Sequence, residues 1–137
     1  YGLAGLRVGY GISQPPVADL LNRVRQPFNV NTLAQTAALA ALADQAHIRR
    51  SVASNRAGLA QLSRGLARLG LSFIPSVGNF VTVDLGRGAA AVDAALLREG
   101  CIARTVGNYG LPHHLRVSVG REEENARFLA ALEKVLG

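Results

Sequence analysis

A chain of 137 residues with 49% apolar and 18% charged residues is long enough to bury the core of one ordinary domain, which excludes a disordered polymer. No apolar run approaches the ~20 residues a membrane-spanning helix needs, no leader segment is visible, and a reducing cytoplasm is the expected setting. The net charge of +6 comes from arginines scattered from Arg23 to Arg127 without interleaved stacking aromatics, which argues against a nucleic-acid partner.

The chain opens on Tyr1-Gly2-Leu3-Ala4-Gly5-Leu6-Arg7-Val8-Gly9-Tyr10-Gly11, a glycine-spaced motif around one arginine. No methionine precedes it and none follows, so the chain is expected to be a piece of a longer protein. Leu6 to Ile12 alternates small and apolar residues and reads as a buried strand. Gln14-Pro15-Pro16 stops it and suits a helix entrance, after which Val17, Leu20, Leu21 and Val24 recur at helical spacing up to Arg25. Asn31 is a good N-cap for a helix from Thr32 to Ala43. That helix is apolar nearly all round, which predicts burial. Asp44 leads into a long amphipathic helix that ends at Gly70, with Ile48, Val52, Leu59, Leu62, Leu66 and Leu69 along its apolar stripe.

From Leu71 the character changes. Ser72 to Pro75 and Asn79 to Leu85 read as strands, and Ala89 to Glu99 as a helix stopped by Gly100. Cys101 to Val106 and Leu115 to Val119 read as further strands, and Glu122 to Leu136 as a helix with acids in its first turn. The single cysteine, Cys101, excludes an intrachain disulfide and reads as a small buried hydrophobe. This order predicts an α/β (α+β) layer in which helices cover one face of a sheet.

Three arginines stand apart because each lies within or beside a strand expected to be buried. A buried guanidinium without a partner is costly, so Arg7 calls for an anion or a carboxylate, and on spacing alone either serves. In Leu115-Arg116-Val117-Ser118-Val119, alternation puts Arg116 and Ser118 on the face away from Leu115, Val117 and Val119. A half-exposed strand arginine and an anion ligand both fit that pattern, and Arg104 has the same ambiguity. His113 and His114, adjacent in sequence, would point to opposite faces of a strand, and His47 stands alone on a helix. No metal site is expected from them.

The opening decapeptide closely resembles the segment that follows the Schiff-base lysine in class I/II, fold type I, pyridoxal-phosphate aminotransferases. Within that group the chain is most similar to the histidinol-phosphate aminotransferases, through Gly78-Asn79-Phe80, Arg104 after an Ile-x pair, and Tyr109-Gly110-Leu111-Pro112 leading into Leu115 to Gly120. The resemblance implies that residues 1–43 are the end of the large cofactor-binding domain, residues 44–70 a connecting helix and residues 71–137 a small C-terminal α/β domain. It implies that Arg7 binds the cofactor phosphate, that Arg116 holds the anionic end of the substrate, and that Arg104 is a second anion contact. Asn79 would lie near the active site, although a scaffold role on the strand backbone is equally open to it. The family's lysine stands two residues before Tyr1, so the chain alone is expected to be inactive and not to retain pyridoxal phosphate.

The reaction implied is transfer of an amino group between histidinol phosphate and 2-oxoglutarate in histidine biosynthesis, by a homodimer in the cytoplasm. Alternatives of the same fold are an aromatic amino acid aminotransferase and a phosphothreonine decarboxylase. An aminotransferase-like sensor domain of a transcription regulator is an alternative of a different class.

Overall fold

The computed structural model describes all residues from 1 to 137 and divides into two compact units, Tyr1–Arg50 and Ser51–Gly137. In the first unit, Ala4–Leu6 forms a 3-10 turn closed by the Leu6 amide donating to the Leu3 carbonyl (3.0 Å) and the Arg7 amide donating to the Ala4 carbonyl (3.1 Å). Arg7 follows in the left-handed region at φ 57°. The strand expected over Leu6 to Ile12 does not form, because this unit contains no other strand to satisfy its backbone donors and acceptors.

Helix α1 (Pro15–Val24) starts on prolines, whose missing amides would be unpaired there in any residue. Helix α2 (Thr32–Ala43) is capped by Asn31, whose side chain accepts from the Ala34 amide at 2.9 Å. The burial expected of α2 is not reached: Leu33 and Leu39 are 78% and 72% exposed, and Ala34 is its one buried residue. An apolar surface all round a helix shows what could be covered, not what is there to cover it. In this unit the opening segment approaches α2, where Leu3, Val8 and Tyr10 line an apolar hollow with Ala38 and Leu42. Helix α3 (Gln45–Arg68) begins with Asp44 accepting from the His47 amide at 2.9 Å and runs through the boundary between the units.

The second unit holds β1 (Phe73–Ile74), β2 (Phe80–Asp84), α4 (Ala89–Arg98), β3 (Arg104–Val106), β4 (Leu111–Ser118) and α5 (Glu122–Leu136). The strands form one four-stranded sheet in the order β1-β2-β4-β3, antiparallel throughout, as the strand, strand, helix, strand, strand, helix sequence from Leu71 foreshadows. Its strand boundaries fall one residue inside the expected ones at both ends of β2 and at the end of β4, and differ further in three places. β1 keeps only two residues. Cys101 to Ala103 stay outside β3 because the Cys101 amide donates to the Leu96 carbonyl at 2.9 Å, which holds this stretch to the end of α4. β4 begins at Leu111 rather than Leu115, since Gly110 at φ 77° closes a short turn that starts the return strand early. His113 and His114 therefore belong to a strand. The β3–β4 pairing slips between Thr105 and Val106, a bulge.

The core follows from alternation. Val81 and Val83 of β2 and Leu115 and Val117 of β4 point to one face, where they join Leu62 and Leu66 of α3, Val92 and Leu96 of α4, and Phe128, Leu129 and Leu132 of α5. Two glycines let α3 come close: a Cβ on Gly65 would lie 2.3 Å from Leu129 Cδ1, and one on Gly58 would lie 2.3 Å from Val119 Cγ1. Helix α5 opens with Glu124 Oε2 accepting from the Arg121 amide at 2.8 Å while Glu124 Oε1 pairs with Arg121 Nη2 at 3.0 Å.

Candidate functional site

The opposite face of the sheet gathers the polar side chains of β2 and β4. Alternation that buries Val81, Val83, Leu115 and Val117 turns Phe80, Thr82 and Asp84 of β2 and His114, Arg116 and Ser118 of β4 away from the core. Cross-strand register then aligns them: Phe80 opposite Ser118, Thr82 opposite Arg116, and Asp84 opposite His114. On the other side of β4, Arg104 of β3 is opposite Arg116. Two expected site residues, separated by a turn and a half-strand, are thus direct neighbours.

Like charges placed opposite one another on a sheet are destabilising, and nothing nearby neutralises these two. Neither Arg104 nor Arg116 belongs to any of the ion pairs of the chain. The acid on the same face, Asp84, is engaged elsewhere: Oδ1 accepts from the Gly86 amide at 2.9 Å, and Oδ2 lies 4.0 Å from His114 Nε2. Arg116 is held on its other side by the Phe80 ring, with Cζ 5.1 Å from the ring centroid. A guanidinium resting on an aromatic face keeps its N–H edge free for a ligand. The arrangement is a pair of uncompensated forks that suit an anion with several acceptor oxygens.

Phe80 and Thr82 complete this face and were not among the expected site residues. Their signal was present in Phe80-Val81-Thr82-Val83-Asp84, where the parity that buries the valines sends the aromatic, hydroxyl and carboxylate side chains the other way. Asn79, just before β2, is exposed, and its carbonyl accepts from the Val119 amide at 2.8 Å. Its position lines a groove with Asn55 and Arg56 of α3 and with Ser76.

Arg7 lies in the other unit and is exposed rather than buried, because its turn projects from the chain instead of entering a sheet. Its Nη1 donates to the Ala4 carbonyl at 2.9 Å, leaving the rest of the fork available. Added Cβ atoms at Gly2, Gly5 and Gly9 would meet nothing within 4 Å, so the backbone around Arg7 is open to close approach. An accessible guanidinium in an open glycine turn fits a phosphate group.

His113 is exposed, whereas His114 is half-buried beside Asp84 and its Nδ1 has no hydrogen-bond partner in the protein. No group of three or more His, Cys, Asp or Glu side chains comes together in the chain. No helix is long and apolar enough to cross a membrane.

Comparison with known proteins gives a consistent result. Residues 1–132 match the family described as aminotransferase class I and II. The histidinol-phosphate aminotransferase 2 of Pseudomonas fluorescens (strain Pf0-1) is 62% identical over 136 residues, which is 99% of this chain and 37% of that protein. The chain thus spans little more than a third of the length of the curated relatives it matches. Among solved structures, histidinol-phosphate aminotransferase from Sinorhizobium meliloti in complex with pyridoxal-5'-phosphate superposes with a TM-score of 0.87 at 34% identity, over 99% of this chain and 38% of that one. The enzyme of the same name from Clostridium acetobutylicum gives a TM-score of 0.88 at 27% identity, over 98% of this chain and 42% of that one.

Proposed function

The chain belongs to the class I and II aminotransferases, and from that premise we propose that it is part of a pyridoxal-phosphate-dependent transaminase acting on histidinol phosphate and 2-oxoglutarate. The observation that carries the substrate choice is the Arg104–Arg116 opposition. One guanidinium suffices for a carboxylate. Two arginines opposite one another on adjacent strands without a protein carboxylate suit a phosphate monoester, which brings up to two charges and three acceptor oxygens. Relatives at about this identity carry the same substrate in their names.

In this reading Arg116 grips the anionic end of the substrate from its seat on Phe80, and Arg104 closes on the same group from the neighbouring strand. Arg7 holds the phosphate of the cofactor, with the glycines around it admitting that group. Pyridoxal phosphate, when bound, supplies the electron sink that lets an amino group pass from one carbon skeleton to another. Asn79 borders the site. Residues 1–43 serve the cofactor-binding domain, residues 44–70 connect, and residues 71–137 form the small substrate-facing domain. The whole protein works as a homodimer in the cytoplasm, within histidine biosynthesis.

The chain's only lysine, Lys134, is at the far end of α5, paired with Glu99 at 2.8 Å, and is not placed to act as a proton-shuttling base. In this reading the 137-residue chain alone neither transaminates nor keeps its cofactor. The test uses the full-length protein. Arg116→Ala is expected to cut kcat/KM for histidinol phosphate by roughly 10²-fold or more, as for loss of one partner of a charge-assisted pair. An unchanged value rejects the assignment. Arg7→Ala is expected to lose its yellow absorbance on dialysis, and full retention counts against the cofactor role.

A further inference from the structure

Asn125, near the start of α5, is 2% exposed and is the one buried polar or charged residue of the chain. Every polar atom of its side chain is used. Oδ1 accepts from the Gly120 amide at 2.9 Å, and Nδ2 donates to the Gly120 carbonyl at 3.1 Å and to Gln61 Oε1 at 3.0 Å. Gln61 of α3 passes the chain of bonds on, its Nε2 donating to the Glu122 carbonyl at 2.9 Å. One carboxamide thus clamps both backbone groups of the glycine that follows β4.

The clamp has a counterpart on β2. Asn55 of α3 donates from Nδ2 to the Gly78 carbonyl at 2.9 Å, and the Val119 amide donates to the Asn79 carbonyl at 2.8 Å. The β2–β4 pair, which carries Phe80 and Arg116, is therefore pinned at its Gly78/Gly120 end to α3 by Asn55 and to α5 by Asn125, which Gln61 ties back to α3. No space is left for slack: a Cβ on Gly58 would fall 3.1 Å from Asn125 Nδ2 and 2.3 Å from Val119 Cγ1. Gly120 has its own close neighbour, since a Cβ there would lie 2.8 Å from Glu124 Oε2.

We propose that Asn125 is a positioning residue for the anion site: by locking Gly120 to α3 and α5 it fixes the register and reach of β4, and so the placement of the Arg116 fork against Phe80 and Arg104. This inference rests on the anion-binding role proposed for Arg116. A carboxamide is required because the two Gly120 groups and Gln61 Oε1 demand one acceptor and two donors at one point. Asp is isosteric but meets the Gly120 carbonyl and Gln61 Oε1 with an acceptor alone.

The experiment compares wild type, Arg116→Ala, Asn125→Asp and Asn125→Ala in the full-length holoenzyme. Steady-state kinetics with histidinol phosphate and amide hydrogen exchange across β4 are the readouts. Asn125→Asp is expected to raise KM by about ten- to a hundredfold, the size of effect a small misplacement of a binding group produces, with kcat changed by less than about threefold. Exchange at Arg116, Val117 and Gly120 is expected to quicken. Because a protonated Asp regains a donor, KM for this variant alone should recover as the pH is lowered towards 6. A normal KM in a variant whose exchange is faster or whose melting point is lower shows a structural residue only and overturns the proposal. Equal losses in kcat and KM-limited rate in Asn125→Asp and Asn125→Ala, with no recovery at low pH, overturn it too. If Arg116→Ala leaves KM unchanged, the reading of Arg116 itself falls, a result distinct from a normal KM in the Asn125 variants alone.

Discussion

Removing one of the two opposed arginines should change the sign of its effect on stability when phosphate is added. Arg104 and Arg116 are register partners on β3 and β4, and neither has a carboxylate. Two unit charges at about 6 Å, the order of the spacing between opposed residues of adjacent strands, repel in water by about 0.7 kcal/mol, and physiological salt reduces this by roughly half. Cross-strand like charges cost roughly 0.2–1 kcal/mol in the same sense. Arg104 is exposed, so its replacement by alanine removes little packing, and Arg104→Ala should be more stable than wild type by a few tenths of a kcal/mol in phosphate-free buffer. Phosphate at about ten times its dissociation constant stabilises wild type by about 1.4 kcal/mol, and a variant with only one fork gains less than half of that. The order of stability therefore inverts. Urea unfolding followed by far-ultraviolet circular dichroism, at matched ionic strength with chloride in place of phosphate, reads both terms. Equal phosphate shifts in the two proteins would refute the shared anion, and a phosphate-free variant less stable than wild type would refute the repulsion.

Gly65→Ala sets helix propensity against packing. Alanine in mid-helix gains about 1 kcal/mol over glycine, but its Cβ would meet Leu129 Cδ1 at 2.3 Å and Cγ at 3.0 Å in the core, where overpacking costs about 1–3 kcal/mol. A net loss of up to about 2 kcal/mol in chemical denaturation is expected, and a more stable variant would show that Leu129 has room to move. Acid should weaken the start of α5. The hydrogen bonds and charge of Arg121 hold the Glu124 carboxyl below the usual carboxylate range, so the unfolded chain takes up this proton first. The stability it lends is complete above the ordinary glutamate range and is lost as the pH falls through the lowered value. Glu124→Gln should accordingly flatten the urea midpoint against pH in the acid range, and an unchanged slope would exclude this contribution.

Much of the second unit could be read directly. Alternation in Asn79 to Leu85 and Leu115 to Val119 located the two central strands, and the same parity placed Arg116 on the face away from the core. What alternation cannot supply is register, and register is what sets Arg104 opposite Arg116. The ends of strands were also hidden, because they depend on competing hydrogen bonds such as that of the Cys101 amide to Leu96. In the first unit the pattern is not met within these residues, which span little more than a third of the relatives' length. Leu6 to Ile12 has the composition of a buried strand but no neighbour to pair with, and α2 has the surface of a core helix but few groups to cover it. Hydrophobic periodicity reports the burial a segment can accept, and the burial it receives depends on what packs there. The role proposed for Arg7 rests on its motif, since no spacing argument separates a phosphate ligand from a structural arginine.

The two outer strands of the sheet have a consequence for the protein's behaviour at high concentration. β1 is two residues long and runs into Pro75, and β3 is three residues long with a bulge at Thr105/Val106. An outer strand of ordinary length offers a free ladder of amides and carbonyls to another chain, and this is the common route to fibrillar aggregation. Here neither border presents enough regular backbone to template such growth, so the sheet that carries two unneutralised arginines is also protected at both margins against recruiting a second sheet.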